Sequence, residues 1–312
     1  MQQAIEDYLG LLTANRGFSD NTVAAYRNDL TQFERFLLTT DARGLAKTAS
    51  SSAAGSIIDW PEVTRVQVLA FVLFLKDKRY ATSTVARKVA AVKSFFHYLV
   101  AEGIIKTDPT ENLDSPKVGK TLPRTLTVEE VDRLLEMPLR STTPEGIRDS
   151  AMLQLLYATG MRVSEMIALN VDDINCSAGY VRCVGKSGKE RIIPVRAESA
   201  QVVENYLENG RPHLVKTRDE RALFVNHRGD RLTRQGFWLI VKTYARAIGT
   251  ETNITPHTLR HSFAAHQLSS GARLEDVRQL LGHASISTTQ IYTQLAGLQR
   301  QKPMDEAATV PN

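Results

Sequence analysis

Six side chains in this chain of 312 residues could act together on a phosphodiester: Arg162, Lys186, His257, Arg260, His283 and Tyr292. Attack at phosphorus puts charge on the phosphoryl oxygens and leaves a sugar oxygen in need of a proton. Two arginines can hold the oxygens through bidentate forks. Lys186, in the turn Gly185-Lys-Ser-Gly-Lys189, can protonate the leaving oxygen, and the histidines can move the proton of a nucleophile. Tyr292 supplies that nucleophile, because a phenol of reference pKa about 10 is usable once its proton is taken. Singly, each residue has a plainer role: Arg162 as a surface ion pair, Lys186 as a turn lysine, His257 as a helix histidine, Tyr292 as core packing. Together they describe a site built from cations and imidazoles, for which no metal and no other cofactor is expected.

Three other chemistries suit these residues less well. His257 and His261 stand four apart, as zinc ligands on a helix do, but Thr258 occupies the place of the required glutamate and Arg260 would set a positive charge beside the cation. Gly185-Lys186-Ser187 resembles the end of a P-loop, yet Gly179 lies one residue too far upstream, and the segment joins strands instead of opening a helix. Asp172-Asp173 is the obvious carboxylate pair for two-metal phosphoryl transfer. Adjacent strand residues point to opposite faces, however, and no further acidic cluster accompanies them.

Two domains must position the six. Helices are expected at Ile5–Thr13, Ser19–Thr39, Val63–Lys78 and Thr82–Ala101; in the last, Val85, Val89, Val92, Phe95, Phe96 and Val100 recur at helical intervals. The small polar segment Thr48–Ser56 reads as a loop. Pro116, Gly119 and Pro123 mark a linker over 114–126, and Thr127-Val-Glu-Glu130 has the form of a capping box opening a second domain. Within that domain Val171–Ile174, Tyr180–Val184 and Glu190–Val195 read as three short strands among helices, and His257 and Arg260, three apart on a helix begun by Pro256, share a face. The expected fold is mainly α: a helical domain over 1–113, the linker 114–126, a mostly helical domain with a small antiparallel three-stranded sheet over 127–301, and a tail over 302–312.

The net charge of +5 favours a polyanionic partner. The first 115 residues are neutral overall, yet Arg79, Arg87, Lys88 and Lys93 cluster there and are candidates for contact with a DNA backbone. No apolar run approaches the ~20 residues of a membrane span, and the start of the chain lacks the pattern of a signal peptide, so a cytoplasmic protein with no membrane partner is expected. Cys176 and Cys183 complete neither a disulfide framework nor a zinc site.

With these residues in place the chain resembles the tyrosine recombinase (lambda integrase) family, most closely its Xer subgroup. Tyr157-Ala-Thr-Gly-Met-Arg162-Val-Ser-Glu165 resembles the first-arginine block and Val184-Gly-Lys186-Ser-Gly-Lys-Glu-Arg191 the hairpin lysine block. His257-Thr-Leu-Arg260-His261-Ser-Phe263 resembles the His-x-x-Arg block, and Leu280-Leu-Gly-His283 followed by Tyr292 the terminal block. The resemblance implies that Arg162 and Arg260 bind the scissile phosphate, Lys186 is the general acid, His257 transfers a proton, His283 contacts the phosphate and Tyr292 forms a 3′-phosphotyrosyl bond. It implies double-stranded DNA carrying a recombination site as partner, with the N-terminal domain binding the core of that site and closing with the catalytic domain around it. It also implies a homo- or heterotetramer with a related recombinase, strand exchange through a Holliday junction, chromosome dimer resolution and control by the DNA translocase FtsK. Integration of a mobile element, or a DNA-binding architectural role without chemistry, are the alternatives. The Asp41–Trp60 loop is longer than the resemblance leads one to expect, and the tail from Lys302 looks frayed.

Overall fold

The computed structural model describes residues 1–15, 18–40, 59–114, 116, 119, 122–185, 188–249, 254–283 and 285–307, with backbone alone at 15 and 298–307. The small polar segment 48–56, most of the Asp41–Trp60 loop, part of the linker and Lys186 lie outside the described residues. The chain divides into two compact units, Met1–Lys120 and Thr121–Asn312.

Among its described residues the first unit packs four α-helices, α1 (Gln2–Asn15), α2 (Asp20–Thr39), α3 (Arg65–Asp77) and α4 (Thr82–Ala101). Aromatic side chains fill its centre: Trp60 meets Phe95 edge-on at 4.8 Å between ring centroids, and Phe33 lies 4.9 Å from Phe71. The expected stripe on α4 faces this core, except that Leu99 is buried where the stripe was continued to Val100, which is 37% exposed.

The same unit corrects one of the four DNA-contact candidates. Lys88 is buried and bonds Asp29, itself buried on α2, at 2.8 Å, so its charge neutralises a carboxylate inside the unit instead of facing solvent. Arg87 pairs with the same carboxylate from its half-exposed position. Lys93 donates to the Leu113 carbonyl at 3.0 Å, and Arg79 stands exposed just after α3. Asp29→Ala would leave the Lys88 ammonium buried without its counter-charge. We expect a loss of about 3–5 kcal/mol in the unfolding free energy of this unit, measured by denaturant titration, against a smaller loss for Arg87→Ala.

The second unit comprises α5 (Val128–Glu136), α6 (Pro144–Thr159), α7 (Val163–Ala168), a three-stranded sheet, then α8 (Ala197–Asn205), α9 (Arg211–Leu214), α10 (Arg234–Ala247), α11 (Pro256–Ser269), α12 (Leu274–Leu281) and α13 (Ser287–Ala307). The sheet is antiparallel in the order β1 (Ile174–Asn175), β2 (Tyr180–Val184), β3 (Glu190–Pro194). The fold is thus mainly α with one small sheet. Thr127 and Glu130 cap each other's backbone amides at 3.2 and 2.9 Å and open α5.

Two readings of local structure change. Val171–Asp173 is a 3-10 turn and not strand, because the Asp173 carboxylate turns back to accept from the Asn170 amide at 2.9 Å; the strand begins only at Ile174. The helix that carries Tyr292 continues through Ala307, past the expected fraying at Lys302.

Helix α6 runs through the core and ends at Gly160, whose φ of +57° is the left-handed turn that a glycine adopts without strain. A Cβ there would lie 2.2 Å from the Phe263 ring, so the close approach of α6 and α11 also requires glycine. That approach brings the end of α6 against Arg260.

Candidate active site

Arg260 projects from α11 into the unit and is 5% exposed. One terminal nitrogen donates to the Gly160 carbonyl at the end of α6; the other donates to the Leu281 carbonyl at the end of α12, at 2.7 Å, and faces His283 Nε2 at 3.1 Å. Two helix C-termini, each a concentration of partial negative charge, thus hold one guanidinium. Burial, reinforced by the Arg162 charge, still pulls Arg260 down to about 10, so it remains a cation at neutral pH.

Arg162 is set by Glu165. The Arg162 amide donates to one Glu165 oxygen at 2.7 Å and its side chain to the other at 3.0 Å, which caps α7 and fixes the guanidinium, about one-third exposed, at the surface. Arg191, on β3, grips the same carboxylate at 2.8 and 3.0 Å and donates to the Leu280 carbonyl at 3.1 Å. Burial by itself would raise the Glu165 carboxyl, but hydrogen bonds from Arg191 and the Arg162 amide, with both guanidinium charges, hold it below the usual carboxylate range. Arg191 thereby ties the sheet, α7 and the end of α12 together.

His283 follows α12. A guanidinium only donates, so His283 Nε2 accepts from Arg260 and Nδ1 carries the proton shared with Thr289 Oγ1, 2.9 Å away on α13. Its imidazole buttresses Arg260. Tyr292, one turn beyond Thr289, is 3% exposed; its ring lies nearly parallel to that of His283, with centroids 6.3 Å apart. The Tyr292 hydroxyl meets His261 Nδ1 at 2.8 Å. Burial raises the Tyr292 phenol above its ordinary value, opposed by Arg260 and Arg162. His257 is exposed in the first turn of α11, its ring centroid 6.5 Å from that of His261.

The second unit therefore brings together Arg162, Arg260, His283 and Tyr292, with His257 at the rim. Sequence reasoning passed over Glu165, Arg191, Thr289 and His261. Glu165 stood three after Arg162, the spacing of a helix cap, and His261 was weighed only as a metal ligand.

Burial, with repulsion from Arg260, Arg162, His261 and Arg191, lowers His283 to about 4; burial, His257 and Arg260 do the same to His261. In an unfolded chain both titrate near 6.5. As pH falls below that value the unfolded state takes up protons first, so stability is complete above about 6.5 and declines toward pH 4. At roughly 1.4 kcal/mol per unit, His283 alone sets a ceiling near 3 kcal/mol. The midpoint of thermal unfolding should fall between pH 7 and 5, and His261→Asn with His283→Gln should flatten that slope.

A basic stripe, exposed except at the half-buried Lys242, lies elsewhere in the unit. Arg234, Trp238, Lys242 and Arg246 follow one another at intervals of four along α10, and the Lys242 ammonium sits 4.5 Å from the Trp238 ring centroid.

A buried arginine braced by a histidine, a second arginine at the surface and a tyrosine hydroxyl beside them form a centre suited to covalent phosphoryl transfer. Residues 124–298 match the phage integrase family and residues 5–103 its N-terminal SAM-like domain, and the chain belongs to this family of tyrosine recombinases. Within it the kinship is to the Xer group. The chain is 52% identical over 311 residues to tyrosine recombinase XerC of Herpetosiphon aurantiacus, covering 100% of this chain and 96% of the relative. To tyrosine recombinase XerD of Oceanobacillus iheyensis it is 44% identical, covering 94% of each. A lambda integrase tetramer bound to a Holliday junction has a similar fold, with a TM-score of 0.68 at 18% identity over 91% of this chain and 77% of that one.

Proposed function

We propose that this chain is a site-specific recombinase that cuts and rejoins DNA through Tyr292 in resolving chromosome dimers. The observation that carries the reading is the convergence of Arg260, Arg162 and His283 on the Tyr292 hydroxyl side of α11 and α13. Arg162 and Arg260 hold the scissile phosphate, Lys186 protonates the departing 5′-oxygen, and His257, exposed at the rim, transfers a proton on the substrate side. His283, whose Nε2 already accepts from Arg260, serves the phosphate through that arginine. The link to protein is a phosphodiester, so rejoining needs no outside energy.

Units 1–113 and 127–301 act as core-binding and catalytic domains in this reading. A homo- or heterotetramer exchanging strands through a Holliday junction, and control by the translocase FtsK, complete it; the tetramer is favoured by the lambda integrase assembly and the rest by Xer kinship. Among the described residues no helix is long and apolar enough to cross a membrane; action on the chromosome in the cytoplasm rests on the Xer kinship.

The test is incubation with nicked duplexes carrying candidate sites from the replication terminus. A denaturation-resistant protein–DNA adduct supports the reading, and no adduct on any of them would sink it. The stripe on α10 is a second DNA contact in this reading. Lys242→Ala with Arg246→Ala should reduce the slope of log affinity against log salt by about 2, since each phosphate contact contributes roughly 0.9.

A further inference from the structure

We infer that His261 is the residue that takes the Tyr292 proton as the protein–DNA bond forms. The inference rests on Tyr292 as nucleophile and assigns a catalytic role to a side chain outside the six.

The geometry is specific. His261 Nδ1 lies 2.8 Å from the Tyr292 hydroxyl, whereas His257, one turn earlier on α11, is exposed, with its ring centroid 6.5 Å from that of His261. His283, the other imidazole at the tyrosine, has its lone pair directed at Arg260 and its proton at Thr289, so it has no free lone pair for the phenol. Among the imidazoles described around Tyr292, His261 alone has a nitrogen within hydrogen-bond distance of the oxygen that must lose a proton. Burial with the neighbouring His257 and Arg260 keeps the His261 ring neutral near pH 7, which leaves it a lone pair to offer. The His261 and Tyr292 rings, 5.5 Å apart between centroids and held by α11 and α13, keep the pair in register.

The Tyr292 oxygen bonds to phosphorus while its proton passes to His261 Nδ1, making an imidazolium; the bond from phosphorus to the 5′-oxygen breaks, and that oxygen takes its proton from Lys186. On rejoining, the 5′-hydroxyl gives its proton back to Lys186 as it attacks phosphorus, the bond from phosphorus to the Tyr292 oxygen breaks, and His261 returns its proton to the departing phenolate. An arriving phosphate brings negative charge to the imidazole and so favours its protonated form at the moment of attack.

The experiment is single-turnover cleavage of a nicked duplex by the full chain, with DNA affinity followed by mobility shift. His261→Leu should cleave about 100-fold or more slowly while binding DNA as the parent does. Placing a fluorinated tyrosine, whose phenol is more acidic, at position 292 should restore at least tenfold of that loss in the His261→Leu protein. His261→Asn, which keeps an acceptor near the Nδ1 position, should fall between parent and leucine variant, and serves where the leucine variant does not fold. Cleavage by both variants within threefold of the parent overturns the inference. So does a deficit that fluorination leaves unmoved, which would mean packing alone. Absence of any adduct from the parent protein, or an adduct that survives Tyr292→Phe, would instead strike the assignment of Tyr292.

Discussion

Tyr292→Phe is expected to bind DNA as tightly as the parent chain and to form no covalent adduct at all. The substitution removes one oxygen and leaves the ring, 3% exposed and stacked on His283, in place. The fold loses a single hydrogen bond, that to His261, which is worth about 1 kcal/mol. Catalysis loses the atom that bonds to phosphorus, so the expected loss is complete and not partial. Denaturing electrophoresis after incubation with a nicked duplex checks the outcome. Equal salt-dependent binding by both proteins, with no adduct from either, would mark an architectural DNA-binding protein instead.

Arg260→Lys carries the second large effect, and the arginine pair separates chemistry from folding. The Arg260 guanidinium spans the Gly160 carbonyl, the Leu281 carbonyl and His283 Nε2. An ammonium keeps the charge but has one nitrogen, which cannot reach two helix ends at once, so a carbonyl is left buried without a donor at about 1–3 kcal/mol. Cleavage should fall about 10²–10³-fold through loss of a transition-state donor, with a lowered unfolding midpoint. Arg162 is about one-third exposed and anchored chiefly by Glu165, so Arg162→Lys should reduce cleavage comparably with little change in the midpoint. Melting curves beside cleavage rates check the contrast. Equal destabilisation by both would remove the distinction.

The sequence was most legible where information is local. Periodic apolar residues marked α2 and α4, and the Thr127 and Pro256 helix starts followed from capping chemistry. Contacts between distant residues were not legible. Nothing near Lys88 announces Asp29, 59 residues away, and a charge count treats a buried ion pair as free surface charge. Val171–Asp173 has the look of a strand because the decisive bond, Asp173 back to the Asn170 amide, competes with the ladder through a side chain. The site was recognisable by residue type, but the roles within it depend on orientation. His283 turns its lone pair to Arg260, and His261, noticed only for its spacing from His257, faces Tyr292.

The two helix ends that grip Arg260 have a consequence for how DNA is met. α6 and α12 both stop at glycines in the left-handed conformation, and the carbonyls they release surround this guanidinium. Its water is therefore shed while the chain folds, long before a phosphate arrives. A surface lysine must exchange hydration for contact during the encounter; Arg260, 5% exposed, has little left to exchange. Heats of association and ion-release slopes report what changes on binding, so, if Arg260 holds the scissile phosphate as proposed, both should understate its part, which should surface in the rate of the chemical step.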